Sequence, residues 1–233
     1  MKAIIKKDLR SITSNKRMLT VLIVVPFVMS VVLPCALIFS TEVFMQINLI
    51  LNYILPLFFM MIPISSASVM AAGSFVGEKE KKTLETLLYS PLSLKEIFGA
   101  KILAAFLLSM SVSVFSFIIM MTVVQTLIFI FAETTVAPNI NWLIILFLVS
   151  PSVSLISISL IVRGSAKAQS FEESQQSSLL LILPLILFII GQFSGVMMMG
   201  THIFLILGVA LAIIAAFMFK NSLGKFKYEM LLK

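Results

Sequence analysis

The chain has 233 residues, of which 60% are hydrophobic and only 12% are charged, and its mean hydropathy is +1.14. Because soluble globular proteins carry about 25% charged residues, this composition excludes an ordinary soluble domain and indicates an integral membrane protein. The net charge of +7 does not indicate nucleic-acid binding. The basic residues lie beside apolar runs, where they report membrane orientation and contact with anionic lipid.

Residues 1–17 are predicted to form an interfacial elbow helix. Ile5, Leu9 and Ile12 fall on one helical face, and most of the lysines fall elsewhere. Such an amphipathic helix lies in the inner head-group layer. The apolar run that follows is too long for a signal-peptide core and has no cleavage site after it, so we interpret it as a retained first span.

Six apolar runs predict six transmembrane helices in one all-α, polytopic membrane domain covering residues 1–233. The runs are 18–40, 47–72, 102–131, 140–162, 178–193 and 203–219. Most of them exceed the ~20 residues that cross about 30 Å of hydrocarbon. The last two are the shortest, and a re-entrant pair is the alternative there. Six full spans are preferred because they return the basic tail, 220–233, to the side of the basic N-terminus.

The distribution of basic residues predicts the orientation. All 17 Lys and Arg residues lie in four segments, 1–17, 74–101, 163–178 and 220–233, and none lies in the three intervening loops. Because membrane proteins keep Lys and Arg in short cytoplasmic loops, both termini and segment 74–101 are predicted to be cytoplasmic. The protein is therefore predicted to be a multi-pass protein of the cell membrane.

Segment 74–101 is the longest polar interruption of the chain. Leu84, Leu87 and Leu88 have the spacing of one helix face, which predicts a short amphipathic helix. Pro91 ends that helix, and Ser93 with Glu96 has the spacing of a capping box that starts the next one. Such a surface helix either docks into a groove on a soluble partner or rests on lipid head groups, and the residue pattern leaves both interpretations open.

The string FVGEKEKKTLETLLYSPLS at 75–93 resembles the coupling-helix region of the ABC-2 type permease family, the membrane subunits of one class of ATP-driven exporters. The matching positions are Glu78, Glu80, Thr83, Leu84, Glu85, Leu87, Leu88, Pro91 and Lys101. Lys82 stands where many members carry Gly. The resemblance implies that a helix from about residue 78 to 89 inserts into a cleft on an ATPase. Leu84, Leu87 and Leu88 would be its apolar anchors and the glutamates its charged contacts.

The resemblance also implies the partners. They are two copies of a separate ATPase, which holds the ATP and Mg, and a second permease chain that is identical or homologous to this one. The sequence agrees with this division of labour, because it contains no G-x-x-x-x-G-K-[ST] phosphate loop and no metalloprotease or serine-hydrolase motif. One cysteine, Cys35, and one histidine, His202, cannot build a His/Cys metal site. We therefore predict no catalytic residue, metal site or bound cofactor in this chain.

The predicted spans carry hydroxyl and amide groups but no Asp, Glu, Lys or Arg near their middles. A proton-driven carrier usually needs such groups at depth. Hydroxyls share one stripe in the third span and another in the fourth, and two amides lie at the outer end of the second. These groups are Ser109, Ser113, Ser116, Ser150, Ser154, Ser157, Asn48 and Asn52. They either hydrogen-bond between packed helices or line a weakly polar translocation path.

We therefore predict the membrane-spanning permease subunit of an ABC exporter. Short outer loops and an apolar interior favour an amphipathic or hydrophobic substrate, such as a peptide, an antibiotic or a lipid-like molecule. The alternative is an ion-gradient-driven secondary carrier, or a channel, that works without an ATPase.

Overall fold

A computed structural model of the chain describes residues 15–39, 50–80, 94–132, 137–165, 170–193 and 200–224. These residues form six helices and, among themselves, no strand. The helices are α1 (Lys16–Phe39), α2 (Ile50–Ile54, Leu55–Phe59 and Met61–Glu80), α3 (Leu94–Ala132), α4 (Ile140–Ile144, Ile145–Val149 and Ser150–Gly164), α5 (Phe171–Phe193) and α6 (Thr201–Gly224).

Five of these helices are long and apolar enough to cross a membrane. The five candidate spans are Lys16–Phe39, Ile50–Gly77, Glu96–Phe131, Ile140–Gly164 and Thr201–Ser222. In α5 the apolar stretch, Ile182–Gly191, is shorter. The all-helical, multi-pass architecture is thus confirmed, and the sixth span at 178–193 stays a prediction.

The two cytoplasmic helices predicted from the sequence fall mostly outside the described residues. The elbow helix corresponds to residues 1–17, of which 1–14 lie outside, while Lys16 and Arg17 already form the first turn of α1. The coupling helix is predicted from about residue 78 to 89, and residues 81–93 also lie outside. Its flanks are described, because α2 ends at Glu80 and α3 begins at Leu94, one residue after the predicted cap Ser93.

α2 is the central helix of the bundle. In an 18-residue apolar stretch of α2, 83% of the residues are buried, against 22% in α1, 33% in α3 and 17% in α6. Small residues such as Ser66, Ala67, Ala71 and Ala72 line α2 and are almost fully buried. Because helices in lipid gain contact by bringing their backbones close together, small side chains favour this central position. Many large apolar side chains of α1, α3 and α6 are exposed on the outside of the bundle, which leaves an apolar surface for lipid or another chain.

Prolines shape the backbone of three helices in the same way. The described residues contain three π-helical turns, Val28–Val32, Ile50–Ile54 and Ile145–Val149, and each ends two residues before a proline. The prolines are Pro34, Pro56 and Pro151. A proline has no N–H to donate and its ring clashes with the preceding turn, so a locally wider helix accommodates it. These turns leave carbonyl groups available to neighbouring helices.

Candidate functional site

Lys101 lies where α2 and α3 meet beside residues 81–93. Its Nζ donates a hydrogen bond to the carbonyl oxygen of Ser74 at 2.6 Å, and it lies 5.4 Å from the centroid of the Phe75 ring. The Phe75 ring stacks on Phe98 of α3 at 5.5 Å. A charged residue in a polar cytoplasmic segment such as 74–101 is expected to lie in water, and for Lys101 that expectation is wrong, because the residue is only 2% exposed. The amphipathic lysine stem reaches across α2, and its charge is directed at a backbone carbonyl.

A buried apolar cluster surrounds this junction and extends to α1, α4 and α5. It includes Met18, Phe75, Phe98, Ile161 and Phe171. The end of α2 is therefore fixed to its neighbours by packing as well as by Lys101. Residues 81–93 begin and end on two helices that are firmly joined to each other.

The predicted coupling residues divide between the described and the remaining parts of the chain. Glu78 and Glu80 belong to the end of the long helix Met61–Glu80. Thr83, Leu84, Glu85, Leu87 and Leu88 lie outside the described residues. The structure thus continues α2 without a break into the start of the predicted coupling segment.

Two arginine contacts tie helices together at the same end. Arg17 in the first turn of α1 pairs with Glu172 in the first turn of α5 at 3.1 Å, and both side chains are exposed. Arg163 near the end of α4 donates to the carbonyl oxygen of Met218 in α6 at 3.2 Å. Arg163 also lies in the last turn of its own helix, where a cation is favourable because the unpaired carbonyl groups carry partial negative charge.

Ser109 joins three helices in the interior of the bundle. Its Oγ lies 3.0 Å from Ser66 Oγ of α2 and 3.0 Å from Ser154 Oγ of α4, and 3.1 Å from the carbonyl oxygen of Pro63. All three serines are at most 1% exposed. The hydroxyl stripes of the third and fourth spans thus meet here, and the helix-contact interpretation describes Ser109 and Ser154.

Of the other predicted path residues that the structure describes, Ser157 bonds to a neighbouring helix, whereas Ser113 bonds within α3. Ser157 Oγ donates to the carbonyl oxygen of Ile64 at 3.3 Å, and Ser113 Oγ to that of Ser109 at 2.9 Å. Ser150 is fully buried, and its Oγ has no hydrogen-bond partner among the described residues. Ser116 is 3% exposed and borders an apolar groove between α1 and α3. A role of these serines in a translocation path remains a prediction.

A second polar junction holds α2 to α4 at the opposite end of the bundle. The side-chain Oδ1 of Asn52 accepts a hydrogen bond from the backbone N–H of Asn139 at 3.1 Å. The backbone carbonyl oxygen of Asn52 accepts one from Asn141 Nδ2 at 3.0 Å. Trp142 Nε1 donates to the carbonyl oxygen of Leu51 at 3.1 Å. Pro56 has no N–H that could bond within α2 to the backbone carbonyl oxygens of Leu51 and Asn52. These two oxygens are therefore available for bonds between helices. Asn48, predicted to lie beside Asn52, falls outside the described residues.

Sequence reasoning missed the α4 half of this junction. Asn139 caps the first turn of α4 by accepting from Ile140, and Trp142 follows in the helix. A cap residue followed by tryptophan at the start of an apolar run is a recognisable signal, because indole groups concentrate where apolar and polar surroundings meet. The ring of Trp142 also packs 5.9 Å from Phe59 and 5.6 Å from Phe117.

The serine junction can be tested by substitution. Ser109→Ala is expected to lower the free energy of unfolding by about 1 kcal/mol, because it removes the hydroxyl that Ser66 and Ser154 share. Ser111→Ala is the matched control, since Ser111 is exposed on the same helix and its Oγ bonds only to the carbonyl oxygen of Leu107 in the contacts observed. Thermal unfolding in detergent measures both. Equal losses of stability from the two substitutions would contradict the claim that Ser109 holds the three helices together.

These helices form a multi-pass membrane protein in which a polar segment connects α2 to α3, two helices that Lys101 joins. The chain matches the model of a family described as ABC-2 family transporter protein, over residues 2–206. Since the match covers most of the chain, the protein belongs to the ABC-2 transporter family and is a membrane component of an ABC transporter. No curated protein and no solved structure matches the chain. The resemblance drawn from residues 75–93 is therefore confirmed at the level of the family.

Proposed function

We propose that the chain is the permease subunit of an ABC exporter, which moves an amphipathic or hydrophobic substrate out of the cytoplasm with energy from a separate ATPase. Family membership carries this proposal, because ABC transporters combine membrane subunits with ATPases. The lack of a phosphate loop in the sequence supports the assignment of ATP and Mg to the partner.

The proposed assembly has two permease chains side by side, identical or homologous, and two ATPase subunits on the cytoplasmic face. Each chain would cross the membrane six times with both termini inside, as the distribution of Lys and Arg favours. The apolar outer faces of α1, α3 and α6 provide surface for lipid and for the second chain.

Coupling would pass from residues 78–89 into the bundle. In the proposed complex the apolar face at Leu84, Leu87 and Leu88 occupies a cleft on the ATPase, and Glu78, Glu80 and Glu85 contact the rim. Closure of the ATPase pair then displaces the segment. Because Lys101 joins α2 to α3, both helices would move as one body, and Ser109 would pass the displacement to α4.

Transport by membrane vesicles tests the proposed function. Inside-out vesicles are prepared with the chain and its ATPase, or with the chain alone, and are offered a panel of fluorescent amphipathic peptides and lipids. We expect uptake that needs both ATP and the ATPase. Uptake by the chain alone, driven by a proton or sodium gradient, would overturn the proposal and favour the secondary carrier.

A further inference from the structure

A cavity of ≈ 280 Å³, with five polar residues among the seven that line it, lies between the middle of α2 and α5. Its wall on α2 contains Ser65 and Ser68, and its wall on α5 contains Glu172, Gln175 and Gln176. The groove between α1 and α3 is less polar, since seven of its ten bordering side chains are apolar and the other three are serines. A concave site with a few convergent polar groups is the ordinary form of a small-ligand site.

The two serines present hydrogen-bond acceptors to this cavity. Ser65 Oγ donates its hydrogen to the carbonyl oxygen of Ile62 at 3.0 Å, and Ser68 Oγ donates to that of Ser65 at 2.8 Å. A hydroxyl has one hydrogen and two lone pairs, so each oxygen retains only acceptor capacity toward a ligand. The ligand that fits such oxygens is one that brings its own N–H or O–H donors.

Glu172 gives the cavity its charge. It is the one ionisable residue of the described lining, and no basic side chain of the described residues lines the cavity. It lies in the first turn of α5. The carboxylate pairs with Arg17 at 3.1 Å from outside the lining, and Arg17 is 82% exposed.

The cavity also has an apolar side. Ile64 of α2 and Ile182 of α5 complete its lining. A ligand that placed a polar head against Glu172 would therefore extend an apolar portion along these two residues. The combination selects for a molecule that is cationic at one end and apolar at the other.

We propose that this cavity binds the primary ammonium group of an amphipathic molecule, with Glu172 as the counter-ion and Ser65 and Ser68 as acceptors. The inference rests on the proposed function in that it names the class of substrate such a permease would carry. In this proposal Glu172 exchanges its partner during binding, because the ammonium group replaces the exposed guanidinium of Arg17. A primary ammonium has three N–H donors, which matches the acceptors that the cavity presents.

Binding is measured on the permease alone, in nanodiscs of phosphatidylcholine, by calorimetric titration. The probes are octylammonium, octyltrimethylammonium, which has no N–H, and octanoate, which has the opposite charge. We expect saturable binding of octylammonium, weaker binding of octyltrimethylammonium by about fivefold, and no saturable binding of octanoate.

Three variants locate the site. Glu172→Gln is expected to weaken octylammonium binding by about five- to tenfold, because one charge-assisted hydrogen bond at a partly exposed position is lost. Arg17→Gln is expected to strengthen it by about two- to fivefold, because the competing cation is removed. Glu173→Gln is the matched control, since it removes the same charge one residue along the helix and outside the cavity lining.

The results that would overturn this inference differ from those that would overturn the proposed function. Equal weakening by Glu172→Gln and Glu173→Gln, saturable binding of octanoate, or no saturable binding of octylammonium to the unaltered chain would overturn the inference. Thermal unfolding of each variant serves as the control that its fold is retained. Because the ATPase is absent, failure of this test leaves the proposed function standing, and loss of ATP-driven transport with intact amine binding would overturn the function alone.

Discussion

A chain that carries both Leu87→Asp and Leu88→Asp is expected to reach the membrane in normal amounts and to lose its ATPase during purification. In the proposed complex these two side chains enter an apolar cleft, and burial of an unpaired carboxylate costs several kcal/mol. Because 1.4 kcal/mol corresponds to tenfold in affinity, the double substitution is expected to weaken the complex by about 10³-fold or more. Affinity purification of the tagged chain, with ATP photolabelling of bound subunits, measures the loss.

The control for this prediction is the pair Leu87→Met and Leu88→Met, which keeps both side chains apolar and similar in volume. It is expected to retain the ATPase. Co-purification of a fully active ATPase with the double aspartate variant would count against docking through this segment.

Lys101→Ala is expected to destabilise the junction between α2 and α3 by about 2–4 kcal/mol. The substitution removes a charged donor to the Ser74 carbonyl oxygen, and it leaves space where a buried stem had packed near Phe75. A lower thermal unfolding temperature in detergent is the expected result. In the proposed mechanism the same change lowers the amount of substrate moved per ATP, because α2 and α3 no longer move together.

Two further variants separate charge from packing at this site. Lys101→Met retains most of the stem but loses the charged donor. We therefore expect its unfolding temperature to lie between that of the native chain and that of Lys101→Ala. Lys220→Ala removes an exposed cation from α6 and is expected to leave the unfolding temperature unchanged. If Lys101→Ala unfolded at the same temperature as Lys220→Ala, the role of Lys101 as a clamp would be wrong.

The class of fold was predictable from the sequence because the physical signal is strong. Long apolar runs have few stable solutions in lipid other than transmembrane helices, and all six predicted runs lie within or overlap helices of the structure. Apolar runs mark helix ends less well than caps do. The apolar run of α3 begins near residue 102, whereas the helix begins at Leu94, one residue after the predicted cap Ser93, and Ile97 and Phe98 of its first turns are buried.

The arrangement of the helices was not predictable from hydropathy. α1 and α2 are both apolar, yet α2 is buried and α1 faces outward, because small residues on α2 allow four neighbouring helices to approach it. Lys101 shows the same limit for a single residue. A lysine in a charged segment ordinarily lies in water, and only its position between two helices makes the carbonyl oxygen of Ser74 accessible to it.

The serine stripes were recognised from their spacing, but their partners were not. Helical periodicity predicts that Ser109 and Ser113 share a face, and it carries no information about the helix that this face meets. The structure supplies that information by placing Ser66 and Ser154 against Ser109. Ser66 had no role in the prediction, because a serine on α2 is distinguished from its neighbours only by the helices around it.

Site-specific photo-cross-linking tests the central claim most directly, namely that residues 78–89 dock on a separate ATPase in the cytoplasm. A benzophenone amino acid is placed at Leu88, and in a control chain at Ile118, which is exposed on the outer face of α3. Irradiation of membranes that contain both proteins is expected to yield an adduct of the chain with the ATPase from position 88 and none from position 118. No adduct from position 88, or labelling of that position from outside intact cells, would contradict the account.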